Sequence, residues 1–223
     1  MSNNTHAVIV GDGEPPSRDL LYGALQAEKH PQLLCADGGA NVVVKLGFLP
    51  DCIIGDLDSI HDETKKAVTS DKLINVTEQD TTDLEKVLAY AENAGIQSAT
   101  LLGFTGRRTD HTLWNLNLLK VFSERIELCF LDDYCEIRRV GSQIVFQADR
   151  GQKISLCPLS GDVCSVYTTG LKWPLQNVDL IPGNVGSISN EVLSNPVEIK
   201  VGTGELLLCV QRDSASGMIK VVR

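Results

Sequence analysis

Nowhere does this chain hold the ~20 consecutive apolar residues that crossing a bilayer requires. Its first residues, Met1-Ser2-Asn3-Asn4-Thr5-His6, offer neither the basic start nor the apolar stretch of a secretory signal. The expectation is a cytoplasmic protein with no membrane partner. Basic charge is also short: Lys+Arg number 20 and Asp+Glu 29, so the net charge is 20 − 29 = −9. A field of that sign disfavours nucleic acid and anionic surfaces. It suits a small cationic substrate, and admits an anionic nucleotide only through local donors and a metal. No C-x-x-C pair occurs, and the seven cysteines (Cys35, Cys52, Cys129, Cys135, Cys157, Cys164 and Cys209) are odd in number. Most fall in apolar, strand-like runs, which argues against disulfides or a zinc ribbon and predicts buried, reduced thiols. A Walker P-loop is absent, and no Ser-His-Asp or Cys-His arrangement stands out.

What is present is enough apolar material, 43% of 223 residues, for one large core or two small ones. The first part alternates strand and helix signals. Apolar runs at 7–10, 33–36, 52–54, 73–76, 99–102 and 126–131 read as strands, with helices over 19–28 and 40–46 and from about Thr112. Continuous apolar strands separated by helices predict a largely parallel sheet covered on both faces. The helix after Asp80 is the clearest. Thr82 and Glu85 have capping-box spacing, Leu84, Val87, Leu88 and Ala91 mark one buried stripe, and Gly95 is a stop. After about Asp133 helical periodicity ends. Short runs at 144–146, 153–156, 163–167, 197–201 and 206–210, separated by Gly, Pro and Asn, predict a small antiparallel sandwich or barrel. The expected domains are therefore 1–133, α/β, and 134–223, β, with no repeat and no low-complexity linker.

Four acidic segments each lie beside a predicted strand: Asp37-Gly38-Gly39-Ala40-Asn41, Gly55-Asp56-Leu57-Asp58-Ser59, Gln79-Asp80-Thr81-Thr82-Asp83 and Gly106-Arg107-Arg108-Thr109-Asp110-His111. In an open parallel sheet such loops converge at the carboxyl edge. Carboxylates gathered there repel one another and need a cation. Hard oxygen ligands suit Mg²⁺, which commonly arrives with substrate phosphates. Asp56 and Asp58, at i and i+2 of an extended loop, can share one cation; the bland reading is a solvated turn with helix capping. Asp83 sits in a first helical turn, where a dipole stabilises an anion, though a lone Asp there is ordinarily only a helix-start residue. Lys86 is either a phosphate partner or a solvated i,i+3 ion-pair residue. The paired glycines after Asp37 permit close backbone approach and offer helix N–H groups to an anion, or merely form a tight turn. Arg107 and Arg108 bring forked donors suited to phosphate, or pair with Asp110 at the surface. His111 reads as structural, Trp114 in its apolar helix reads as core, and Trp173 reads as core more readily than as a ligand platform.

Taken in order, these motifs resemble the thiamine pyrophosphokinase family. The likeness rests on D-G-G-A-N at 37–41, G-D-x-D-S at 55–59, Q-D-x-T-D at 79–83 and G-x-R-x-D-H at 106–111. Thr168-Thr169-Gly170-Leu171-Lys172-Trp173 and Gly186-Ser187-Ile188-Ser189-Asn190 complete it. Arg107 departs from the glycine expected there. The resemblance implies an α/β domain followed by a β-sandwich, a homodimer with shared active sites, and pyrophosphoryl transfer from ATP to thiamine. It implies Mg²⁺ on Asp56, Asp58 and Asp83. On the nucleotide side it places Asp37, Gly38, Asn41, Arg108 and Asp110; on the thiamine side, Gln79, Asp80, Trp173, Ser189 and Asn190. Asp80, Asp83, Arg108 and Asp110 become the catalytic candidates, with Asp80 orienting or deprotonating the attacking hydroxyl. A cationic thiazolium suits an acidic pocket and an indole face. Rival readings are a diphosphokinase for a pterin alcohol, a non-catalytic thiamine or nucleotide binder, and a metal-dependent phosphatase.

Overall fold

Residues 5–212 and 217–222 are described by the structure, a computed structural model; Met1 to Asn4, read above for a signal sequence, lie outside them. The chain divides at Asp132/Asp133 into two compact units. The first runs β1 (His6–Val10), α1 (Arg18–Ala27), β2 (Gln32–Ala36), α2 (Gly39–Lys45), β3 (Cys52–Gly55) and α3 (Asp62–Ala67). It continues with β4 (Leu73–Asn75), α4 (Asp83–Asn93), β5 (Ser98–Leu102), α5 (Thr109–Phe122) and β6 (Glu127–Leu131). Its strands lie in the order β6-β5-β1-β2-β3-β4, and every pairing among them is parallel. Ala7 to Val10 have no exposed surface, as a strand covered on both faces requires.

The chain steps outward from β1 to β4, then α4 carries it back to β5 on the other side of β1. The strand order therefore reverses between β1 and β5, the position where open α/β sheets bind ligands beyond the strands' carboxyl ends. The capping box of α4 is fully formed. Thr82 Oγ1 accepts from the Glu85 amide at 3.4 Å, and Glu85 Oε2 accepts from the Thr82 amide at 2.9 Å. The predicted stripe Leu84, Val87, Leu88 and Ala91 is buried. Gly95 closes the helix at φ 75°, a conformation without steric cost only for glycine.

The second unit contains β7 (Cys135–Val140), β8 (Gln143–Gln147), β9 (Lys153–Pro158), β10 (Val163–Thr169) and β11 (Val178–Leu180). It ends with β12 (Ser187–Glu191), β13 (Val197–Lys200), β14 (Leu206–Gln211) and β15 (Lys220–Val221). Strands in the order β12-β9-β14-β7 face a second sheet, β11-β10-β13-β8-β15, with antiparallel pairing throughout. Ile154, Leu156, Leu206, Leu208 and Val210 of the first pack with Phe146, Val163, Val166, Val197 and Ile199 of the second in one core. This is the expected sandwich.

Two sequence expectations need correction. Trp114 is no core residue: it is 56% exposed, because its indole N–H reaches Glu85 Oε2 at 3.2 Å along the outside of α4 and α5. The cysteines are not uniformly buried. Cys35 and Cys129 are, on strands covered on both faces; the other five are partly exposed.

Candidate active site

The loops after β1, β3 and β5, the end of β2 and the start of α4 enclose a crevice of about 570 Å³. Close backbone approach makes this convergence possible. A Cβ on Gly39 would lie 2.2 Å from the Val10 carbonyl oxygen, and one on Gly55 would lie 2.8 Å from Asp37 Cβ. Glycine at both places lets the ends of β1, β2 and β3 draw together, and it sets Asp37 beside the Gly55–Ser59 loop.

Asp37, Asp56 and Asp58 each offer an oxygen, and the three atoms lie within 4.8 Å of one another. Asp37 is 2% exposed, and its Oδ1 is buried with no hydrogen-bond partner. A carboxylate oxygen left so is costly unless a cation meets it. Asp56 is held by Gln79, whose Nε2 donates to Oδ2 at 3.2 Å; that hydrogen bond, chiefly, lowers the Asp56 pKa. Ser59 Oγ donates to Asp58 Oδ1 at 2.9 Å. Asn41 spends its amide on the same loop, donating to the Ser59 carbonyl and accepting from the His61 amide, each at 2.9 Å. It braces α2 against the acidic loop.

Asp83 opens α4 and faces this cluster. Burial, and then repulsion by Asp37, raise its pKa despite the nearby Lys86. Lys86 Nζ lies 3.5 Å from Asp83 Oδ1 with its side chain 4% exposed, so it is a buried cation lining the crevice and not a solvated surface partner. Across the crevice, Arg108 Nε donates to Asp110 Oδ1 at 3.1 Å, and this pairing holds the Asp110 carboxyl down at about 2. Arg107, in a left-handed conformation at φ 47°, donates to the Asp12 carbonyl at 3.1 Å and carboxylate at 3.3 Å. Gln79 and Arg108 line the crevice, as do Thr81, Thr82 and His111. Gly38 caps α2 beside the carboxylates. Asp80 is exposed, its amide donating to Glu78.

Trp173, Ser189 and Asn190 lie in the second unit. Trp173 is 56% exposed, contrary to the core reading. Asn190 is buried and fixes it: Nδ2 donates to the Trp173 carbonyl at 2.7 Å, and Oδ1 accepts from its amide at 3.2 Å. Lys172 Nζ stands 4.9 Å from the indole centroid. Ser189, at φ 57° in the irregular pairing of β12 with β9, donates its amide to Ser155 Oγ at 2.9 Å.

Sequence reasoning missed Asp12 and the two glycines flanking it, which line the crevice after β1. The signal was there, a G-D-G directly after the first strand. It also missed Asn115, buried on α5, which donates to the Phe104 carbonyl at 2.9 Å; one polar residue in an apolar helix gives no advance sign of its partner.

Family models match the chain in two places: residues 25–130 fit "Thiamin pyrophosphokinase, catalytic domain", and residues 142–206 fit "Thiamin pyrophosphokinase, vitamin B1 binding domain". Thiamine pyrophosphokinase 1 of Oryza sativa subsp. japonica is 33% identical over 195 residues, 74% of each chain. Thiamine pyrophosphokinase of Bacillus subtilis is 27% identical over 192 residues, 83% of this chain and 90% of that one. The crystal structure of thiamin pyrophosphokinase from Geobacillus thermodenitrificans superposes with a TM-score of 0.81 at 26% identity, over 95% of this chain and 99% of the other.

Proposed function

Since this chain belongs to the thiamin pyrophosphokinase family, we propose that the crevice beyond β1 and β5 is where it transfers the pyrophosphoryl group of ATP to the hydroxyl of thiamine, giving thiamine diphosphate and AMP. The observation that carries this placement is the carboxylate set of Asp37, Asp56 and Asp58, with its unpartnered buried oxygen, beside the guanidinium of Arg108 and the ammonium of Lys86. Attack on the β-phosphorus asks a protein for alignment and charge neutralisation more than for covalent help. The donor set is all carboxylate oxygen, which fits Mg²⁺. Asp56 and Asp58 would hold the ion, with Asp37 and Asp83 beside them; when bound, it would supply positive charge against the phosphate oxygens.

The chain's own groups do the rest. Arg108 offers a fork to the triphosphate once it turns from Asp110, and Lys86 adds a buried charge from the α4 side. The amides at the start of α2 and the close backbone approach at Gly38 serve the nucleotide. Asp80 takes or orients the proton of the attacking hydroxyl. Trp173, presented by Asn190 beside Ser189, receives the thiazolium ring. Among the described residues no exposed indole lines the crevice of the α/β unit, so we place Trp173 over the crevice of a second copy, in a homodimer with shared sites.

The test is mass spectrometry of a reaction containing ATP, Mg²⁺ and thiamine. Thiamine diphosphate and AMP should appear in equal amounts, and a chelator should abolish both. Free phosphate with no AMP would instead mark a phosphatase. Turnover of a pterin alcohol in place of thiamine would move the substrate assignment.

A further inference from the structure

Arg107 holds a backbone conformation that an arginine does not favour. Its φ is 47°, in the left-handed region that suits glycine and strains other residues. Strain of this kind persists where neighbours hold it, and it gathers at functional sites. The neighbour here is Asp12: Nη1 of Arg107 donates to its carbonyl at 3.1 Å and to its carboxylate at 3.3 Å. That pair is not what joins the two loops. The amides of Gly11, Gly13 and Glu14 donate to the carbonyls of Leu102, Gly103 and Thr105 at 2.8, 2.6 and 2.8 Å, so backbone alone ties the loop after β1 to the loop after β5.

The pair does stand at the crevice. Both residues line it, and Asp12 Oδ2 lies 3.2 Å from where a Cβ on Gly38 would stand, next to Asp37. The lysine and both arginines that line the crevice each stand on a carboxylate: Lys86 on Asp83, Arg107 on Asp12 and Arg108 on Asp110. They are not held alike. Lys86 is buried, and Arg108 engages Asp110 through both Nε and Nη2. Arg107 engages only Nη1; among the described residues its Nε and Nη2 have no partner. Its side chain and that of Asp12 are 49% and 57% exposed, and an exposed ion pair is weak and easily exchanged.

We propose that Arg107 is a second cation for the nucleotide, held on Asp12 until the polyphosphate of ATP competes for it, so that Asp12 acts as a built-in competitor that sets the affinity for ATP. This rests on the crevice being the nucleotide site, and Arg108 remains the principal phosphate contact. Asp12 offers Arg107 one charge and occupies one nitrogen. A polyphosphate carries several charges, with acceptor oxygens spaced to take the whole fork. The exchange therefore runs toward the polyphosphate, and Asp12 reclaims the guanidinium when the polyphosphate leaves.

Calorimetric binding of α,β-methylene-ATP with Mg²⁺, whose bridging carbon blocks the transfer, decides this together with the KM for ATP. Arg107→Gly should weaken binding roughly fivefold, the scale of one charge-assisted contact. It should raise the KM for ATP in step and leave kcat within about twofold, as loss of uniform binding does. Glycine suits the backbone there, so the variant should melt no lower than the parent. Arg107→Gln, which keeps length and loses charge, should bind as weakly. Asp12→Asn removes the competitor and should tighten binding roughly threefold. In the Arg107→Gly background that gain should disappear. Weaker binding in Asp12→Asn would mark a pair that serves structure alone and overturn the proposal. So would a gain that persists in full without Arg107, which is a general effect of charge. Unchanged affinity in Arg107→Gly, with turnover lost in Asp56→Asn, would overturn it and leave the crevice as the active site. If Asp56→Asn also keeps near-full activity, the crevice assignment fails and this inference fails with it.

Discussion

Asp83 shows how one side chain carries opposing demands. Its carboxylate lies where burial and the charges of Asp37 and Asp56 act against ionisation, and Lys86 offsets only part of this. The folded pKa is above the unfolded value, so the folded chain binds its proton more readily. The stability tied to that proton is present at acid pH and is lost as pH rises through the folded pKa. Asp83→Asn should therefore melt no earlier than the parent at pH 7, and the gap between the two should close as pH falls; a variant that melts well below the parent at pH 7 contradicts this. Activity should move the other way. Asp56→Asn, Asp58→Asn or Asp83→Asn keeps size and removes charge, and each should lower turnover with Mg²⁺ by at least ~10²-fold, the scale of losing one charge-stabilising group. Near-full activity of Asp56→Asn and Asp83→Asn would remove them from the metal-nucleotide centre.

Elements make these residues meet, and the loop after β5 is the sharpest case. Arg107 and Arg108 both line the crevice; Arg107 is held on Asp12, whereas Arg108, at the start of α5, is paired with Asp110. Arg108→Lys loses the planar fork and should impair catalysis more than Arg107→Lys; kcat/KM for ATP in both variants decides it, and the reverse order would transfer the phosphate role to Arg107. The first turn of α4 is equally specific. Thr82→Ala removes a capping box, and a urea midpoint should report a loss of about 1 kcal/mol. That capping box was legible in the sequence because both partners lie within one turn. So were the parallel strands, whose apolar runs need no distant partner to be recognised. The carboxyl-edge convergence of Asp37, Asp56 and Gln79 followed from the alternation of strand and helix alone. What escaped was set by tertiary neighbours. Trp114 sits in an apolar run, yet it is exposed because its N–H is taken by Glu85 on another helix. Lys86 reads in the sequence as either a phosphate partner or a solvated i,i+3 partner, and only the fold, which buries its side chain, sets the solvated reading aside. The edge strands β11, β12 and β15 are short or polar, with too little pattern to separate them from loops.

At the scale of the whole molecule the question is where thiamine lies. The carboxylates and Arg108 belong to the α/β unit, whereas Trp173 belongs to the β unit, exposed and held at its backbone by Asn190. A buried asparagine that satisfies both the amide and the carbonyl of one exposed tryptophan presents that indole as a rigid face, at little further entropic cost on binding. Lys172 over the ring is the kind of cation a thiazolium would replace. Stacking of this sort contributes on the order of 0.5–2 kcal/mol, so Trp173→Ala should mainly raise the KM for thiamine, by roughly two- to thirtyfold. If the platform acts on the partner's crevice, inactive Asp83→Asn subunits mixed with Trp173→Ala subunits should regain activity at low thiamine. In each heterodimer one site would carry both defects and the other neither. Subunit exchange, followed by native mass spectrometry of isotope-labelled chains, must be shown in the same sample. If exchange is complete and activity stays at the mean of the two parents, the sharing of sites is refuted, and Trp173 serves the crevice of its own chain or no crevice at all.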